Sequence, residues 1–295
     1  MKLSIAVTNY SWPGGPSSIA PALIGLARTI EEAGLDTLWV ADHVLQMDPN
    51  ASVDEPMLEA YTTLGFLAAA TTSVQLGTMV TWATIRPPAL LVKIVTTLDV
   101  LSGGRAWLGV GAGYRADEAA MVGLPFEPTP ERFSRLEELL QLTDHMWNGD
   151  QHRFRGAHHQ LDAPINNPAP IARPRVLIGG MGEHRTLPLV ARYADACNLF
   201  DIPDGGVTLR HKLDVLATAC DRAGRDPGDI EITLSSRLAP GETSGRFTER
   251  CAQLARLGVD HVVLVTTGPW RAGGDLDVVA DAARPVGQIL RSTHR

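Results

Sequence analysis

Cysteine is scarce in this chain. Only Cys197, Cys220 and Cys251 occur among 295 residues, and no two have the spacing of a metal-binding or redox pair. An odd, scattered set excludes a disulfide framework and suits a reducing compartment, so a cytoplasmic location is expected. Positive charge is also short: 26 Lys and Arg stand against 33 Asp and Glu, a net charge of -7. With no basic cluster interleaved with aromatics, nucleic acid and anionic membrane are not the expected partners. No apolar run is long enough to span a bilayer. The apolar start, Met1 to Val7, is too brief for a signal peptide.

What is present is a regular alternation. Short apolar runs rich in strand-forming residues are expected at 3–8, 37–41, 75–80, 106–111, 175–179, 195–199, 230–234 and 261–265. Longer amphipathic segments separate them. Over 19–33, Leu23, Leu26, Ala27 and Ile30 recur at helical spacing and Gly34 ends the run. After Thr129-Pro130-Glu131, Phe133, Leu136, Leu139, Leu140 and Trp147 do the same, with Thr129 as the expected cap. Eight such units in a chain slightly longer than the usual ~250 residues predict an α/β fold, a single (β/α)8 TIM barrel over 1–295. An open doubly wound sheet is the rival architecture.

One stretch interrupts the rhythm. Residues 148–174 hold His152, His158, His159 and four prolines from Pro164 to Pro174. The histidines match no zinc spacing and lack a completing cysteine or carboxylate pair, so no metal site is expected. An insertion near the barrel mouth is the reading, because long connections tend to shape binding sites.

Chemistry is expected at the carboxyl ends of the strands. Thr37-Leu38-Trp39-Val40-Ala41 ends abruptly on Asp42-His43, a carboxylate beside an imidazole. The plain alternative makes Asp42 a helix cap and His43 a loop residue. Gly109, Gly111 and Gly113 alternate along and beyond another strand, which lets a flat ligand or another backbone approach closely. No helix follows directly and no acidic residue closes a neighbouring strand at the required distance, so a dinucleotide fingerprint is not met. Gly179-Gly180-Met181-Gly182 opens a helix whose free N–H groups suit an anion, or it is an ordinary turn. Asn198 sits near the end of the next strand and Trp82 near another. Asp117 and Glu118 begin a helix, where the dipole alone accounts for them.

Taken together, these segments resemble the luciferase-like monooxygenase superfamily, in its actinobacterial deazaflavin (coenzyme F420)-dependent oxidoreductase branch. The resemblance rests on Gly34 through His43, Leu76 through Thr81, Gly109 through Tyr114, Pro125-Phe126 with Glu131-Arg132-Phe133, and Ile178 through Gly182 leading to Ala194-Asp195. It implies a barrel that binds the deazaflavin ring at the strand ends, flanked by Asp42 and His43. His43 is the implied acid/base group and Asp42 its catalytic and cofactor-binding neighbour. A non-proline cis peptide is implied at Met79-Val80, behind the ring. Ala112, Gly113 and Tyr114 are implied to line the ring edge or tail, and Gly179, Gly180, Met181 and Asn198 to complete the cofactor site, with the phosphate at the two glycines. Relatives acting on sugar phosphates or alcohols carry a glutamate where this chain has Tyr114, which turns the expectation toward a neutral small molecule, apolar or carbonyl-bearing. Its pocket is expected to include Trp12, Trp82 and Tyr114. The expected reaction is hydride transfer between F420 and that molecule in a homodimeric enzyme. An FMN-dependent monooxygenase on the same scaffold and a non-catalytic flavin-binding barrel are the alternatives.

Overall fold

The computed structural model describes residues 1–289. In chain order the elements are β1 (Lys2–Val7), α1 (Pro16–Ala33), β2 (Thr37–Val40), α2 (Ala60–Ala70), β3 (Gln75–Thr78), β4 (Thr81–Trp82), α3 (Pro88–Ser102), β5 (Trp107–Gly111), α4 (Ala116–Met121) and α5 (Thr129–Trp147). There follow β6 (Phe154–Arg155), β7 (Gln160–Leu161), β8 (Arg175–Gly179), α6 (Thr186–Tyr193), β9 (Ala196–Phe200), α7 (Val207–Ala223), β10 (Glu231–Ser236), α8 (Ser244–Arg256), β11 (His261–Val265) and α9 (Asp275–Gly287).

The parallel sheet runs β3-β2-β1-β11-β10-β9-β8-β5-β4. Its ends meet, because Leu76 of β3 bridges Ala106 just before β5. With β3 and β4 sharing one stave, eight staves close into a TIM barrel. All eight expected strands are present; the short β4, beyond a break at Met79-Val80, is the addition.

Local sequence accounts for the elements. Pro16 sits in the first turn of α1, and Gly34 at φ 74° ends it by donating to the Glu31 and Ile30 carbonyls. In α5, Pro128 is the flanking residue and Thr129 already lies in the helix, so Thr129 is not the cap. Inside the barrel, Ala6, Trp39, Trp107, Leu177, Ala196 and Val263 form a buried apolar cluster, the two indoles meeting edge-on at 5.4 Å. Gly77 makes room for them: a Cβ there would lie 2.7 Å from the Trp39 ring and 2.8 Å from the Trp107 Cβ. Below, the buried His261 hydrogen-bonds Glu231 and Ser4, and Glu231 pairs with Lys2 and Arg175. This polar layer plugs the amino-terminal end, so chemistry is left to the opposite face.

The insertion at 148–174 lies elsewhere than expected. It holds the β6–β7 hairpin, but it connects a helix to the start of a strand and therefore packs at the amino-terminal face. Asp99 near the end of α3 accepts from the Ile171 and Ala172 N–H groups, and Arg173 pairs with Asp195 at the start of β9. No residue of the insertion lines the cavity described next.

Candidate active site

A cavity of about 840 Å³ opens at the carboxyl end of the barrel, and every stave contributes to its wall. That size lies within the ordinary range for a small-molecule site. Thr8 follows β1, Asp42 and His43 follow β2, and Met79, Val80 and Trp82 come from the β3–β4 stave. The segment 111–115 closes β5, Gly179 and Gly180 end β8, Asn198 and Phe200 belong to β9, and Ser235, Ser236, Val265 and Thr266 end β10 and β11.

His43 is held by a residue whose role sequence reasoning assigned to the helix dipole alone. Its Nδ1 lies 2.7 Å from Oε2 of Glu118, whose other oxygen accepts from the N–H groups of Val44 (2.7 Å) and Leu45 (3.2 Å). Glu118 is only 3% exposed. Burial works to raise its pKa, but the His43 bond and the two N–H donors outweigh it and hold the carboxyl below its usual range. An ionised Glu118 accepts at Nδ1, so the neutral imidazole carries its proton there and presents Nε2 as a base. The only local signal for this pairing is a carboxylate one turn beyond the glycine run.

Asp42 lines the cavity, but its oxygens are engaged. Arg86 binds it bidentately at 2.6 and 2.9 Å, and the Thr81 hydroxyl donates to it at 2.8 Å. Tyr61 in turn bonds Thr81 at 2.8 Å and lies under the Arg86 guanidinium. This geometry makes Asp42 the anchor of the loop that carries His43.

The Met79-Val80 peptide is cis. The alternating glycines serve the segment around it rather than a ligand directly. A Cβ at Gly109 would collide with the Thr78 carbonyl oxygen, and one at Gly111 or Gly179 would stand 3.1 Å from a Val80 methyl group. Glycine at these positions therefore lets Val80 seat itself against the floor. Gly113, at φ 75°, gives up its side-chain space to the Trp82 ring, which meets Phe126 edge-on at 5.3 Å. Ala112 and Gly113 line the wall, as do Gly179, Gly180 and Thr186 at the start of α6. Asn198 faces the cavity with its amide bound to Thr233 and Ser235.

Three expected residues sit differently. Trp12 is not in the wall: it is buried in the outer core, and its indole N–H donates to the Trp270 carbonyl at 2.8 Å. Met181 lies outside the cavity lining, half-buried, its sulfur accepting from the Phe200 N–H. Tyr114 stands at the rim, 73% exposed, with its ring edge-on to His43 at 6.2 Å. Among the described residues no group of histidine, cysteine and carboxylate side chains is arranged to hold a metal, and no helix is long and apolar enough to cross a membrane.

A profile of the family described as luciferase-like monooxygenase matches residues 1–277. The chain is 33% identical over 242 residues to an F420-dependent glucose-6-phosphate dehydrogenase of Kineococcus radiotolerans, covering 77% of this chain and 66% of that one. It is 29% identical over 208 residues to an F420-dependent hydroxymycolic acid dehydrogenase of Mycobacterium tuberculosis, covering 70% of this chain and 55% of that one. These matches span under two thirds of the relatives' own lengths. Among solved structures, an F420-dependent secondary alcohol dehydrogenase in complex with an F420-acetone adduct shares the fold with a TM-score of 0.80, at 19% identity, over 97% of this chain and 99% of that one.

Proposed function

The chain belongs to the luciferase-like monooxygenase family, and on that premise we propose that it is an oxidoreductase that passes hydride between deazaflavin F420 and a small organic alcohol, carbonyl or enone compound. The observation that carries the reading is the His43–Glu118 pair at the edge of the cavity. It supplies a single oriented acid/base atom, which is what hydride chemistry on a carbinol or carbonyl requires of the protein.

The residues present fit a flat ring with an anionic tail. The β8 wall has no side chain at Gly179 and Gly180, Gly180 adopts φ 122°, and the Thr186 side chain lies 3.5 Å from where a Gly180 Cβ would stand. That turn and the start of α6 would hold the tail phosphate. Val80 would back the ring, with Ala112 and Gly113 along its edge. When bound, the deazaflavin supplies the hydride-accepting and hydride-donating carbon. His43 Nε2 takes the proton from a substrate hydroxyl, or returns it to a carbonyl oxygen. Glu118 holds the imidazole in register throughout, and Trp82 with Phe126 keeps water from that side. The Asp42–Arg86 anchor fixes where the His43 loop stands.

Fluorescence titration of the purified protein with F420 and, separately, with FMN tests the assignment. Saturable F420 binding at one equivalent per chain is expected. Tight FMN binding with no F420 binding would overturn it in favour of the monooxygenase reading. Bound F420 that no alcohol, ketone or enone oxidises or reduces would favour a binding barrel.

A further inference from the structure

The charged groups in the cavity wall are almost all committed to partners. Asp42 is bound by Arg86, and Glu118 by His43 and two backbone N–H groups. Asp48 accepts from the Asn9 amide and from the Gly268 and Asn50 N–H groups, and Asp201 from Ser236 and Arg250. Of the two arginines lining the cavity, Arg115 grips Asp117 through two of its nitrogens. The other, Arg237, follows β10 directly. Its carbonyl accepts from Arg250 at 2.9 Å, the residue is exposed at the rim, and among the described residues its guanidinium has no carboxylate within ion-pair distance.

We infer that Arg237 is the specificity-determining residue for an anionic substrate, pairing with a carboxylate on the molecule whose alcohol or carbonyl group lies at His43; this rests on the hydride-transfer reading above. A guanidinium prefers a bidentate fork with a planar carboxylate. Asp48 lies in the field of Arg237 but already accepts from three other donors, so a cation without an ion pair can balance one added negative charge; among the described residues the wall offers a phosphate dianion no second such cation.

Position separates this role from that of the cofactor's acidic tail. The tail is proposed at Gly180, on β8, whereas β10 is two staves further round. On the far side of β10 from the tail, Asn9 after β1, Asp48 after β2 and Gly268 after β11 are hydrogen-bonded together. Burial works to raise the Asp48 carboxyl, yet the Gly268 and Asn50 N–H groups, the Asn9 amide and the field of Arg237 hold it low. Between β10 and β2 lie only β11 and β1. Three interstrand spacings of roughly 4.8 Å put the two attachment points within about 14 Å, and side chains reaching inward shorten the gap. An organic acid of modest length bridges it.

The test uses hexanoate and hexanamide, equal in length and differing in charge, titrated by calorimetry into the F420-saturated protein and into Arg237→Gln and Arg237→Lys. Hexanoate is expected to bind the parent about tenfold more tightly than hexanamide, the scale of one charge-assisted pair. The preference should vanish in Arg237→Gln and partly survive in Arg237→Lys, with F420 affinity unchanged within about twofold. No preference in the parent, or one that persists in Arg237→Gln, overturns the inference. So does an Arg237→Gln protein that loses affinity for F420 but not for the tail-less deazaflavin, since that result gives the arginine to the cofactor's tail. If the parent fails to bind F420, the cofactor reading falls, and the same hexanoate comparison on the protein alone still decides the role of Arg237.

Discussion

His43 and Glu118, 75 residues apart in sequence, meet at 2.7 Å, and the glutamate's second oxygen is tied to the backbone just past the histidine. One buried carboxylate thus fixes both the ring and the loop that presents it. Replacing Glu118 by Gln keeps the shape but not the polarity. Its carbonyl oxygen is needed by Val44 and Leu45, which turns the amide NH2 toward Nδ1 and moves the imidazole proton to Nε2. For whichever ketone, enone or alcohol proves active in a panel, Glu118→Gln is expected to slow turnover roughly 100-fold, and His43→Ala by roughly 100- to 10,000-fold. F420 affinity should change little in either variant. Single-turnover absorbance of the deazaflavin measures the first and fluorescence titration the second; parental rates in both variants would remove His43 from the chemistry.

The Asp42–Arg86 pair is largely buried, with Asp42 the more enclosed partner, and the geometry assigns it an anchoring role. Arg86→Ala leaves Asp42 without its countercharge and is expected to cost about 3 kcal/mol in urea unfolding. The double variant Asp42→Asn with Arg86→Met should recover most of that loss, because the one carboxylate it leaves without a cation, Glu59, is half exposed to solvent. Equal damage from the double and the single variant would mean that the pair is worth more than its own desolvation.

A pH dependence of stability follows from Glu31 at the end of α1. Burial works to raise its carboxyl, but one oxygen accepts from the N–H groups of Thr72, Ser73 and Val74 and from the Ser73 hydroxyl, and the pKa is pulled down to about 2. The unfolded chain titrates near the ordinary ~4.3. A lowered folded pKa contributes stability that is complete above the unfolded value and is lost as pH falls toward the folded one. Glu31→Gln should therefore melt below the parent at pH 7, with the gap closing between about pH 4 and pH 2. A gap that is constant over that range would contradict the assignment.

The alternation of apolar runs made the barrel legible, because a stave buried on both faces is apolar almost throughout, as Leu38 to Val40 is. His43 was legible for the same reason: a polar pair closing such a run stands at the catalytic end. Glu118 was not, since a carboxylate in a helix's first turn already has a sufficient local reason to be there. Arg86 lies among prolines in a loop, with no periodicity to aim it at Asp42. Trp12 looked like a pocket residue from its place after β1, yet its N–H finds the Trp270 carbonyl 258 positions away. Arg237 carries no local signal at all. An arginine after a strand becomes informative only when every neighbouring charge is seen to be spoken for.

The most direct measurement is a crystal structure of the protein soaked with F420. The expected result is a tricyclic ring seated on Val80, its hydride-transferring carbon facing His43 Nε2 across the space for a substrate, with the tail phosphate at Gly180. A ring bound elsewhere in the molecule, or turned so that the tail lies at His43, would contradict the assignment of the site.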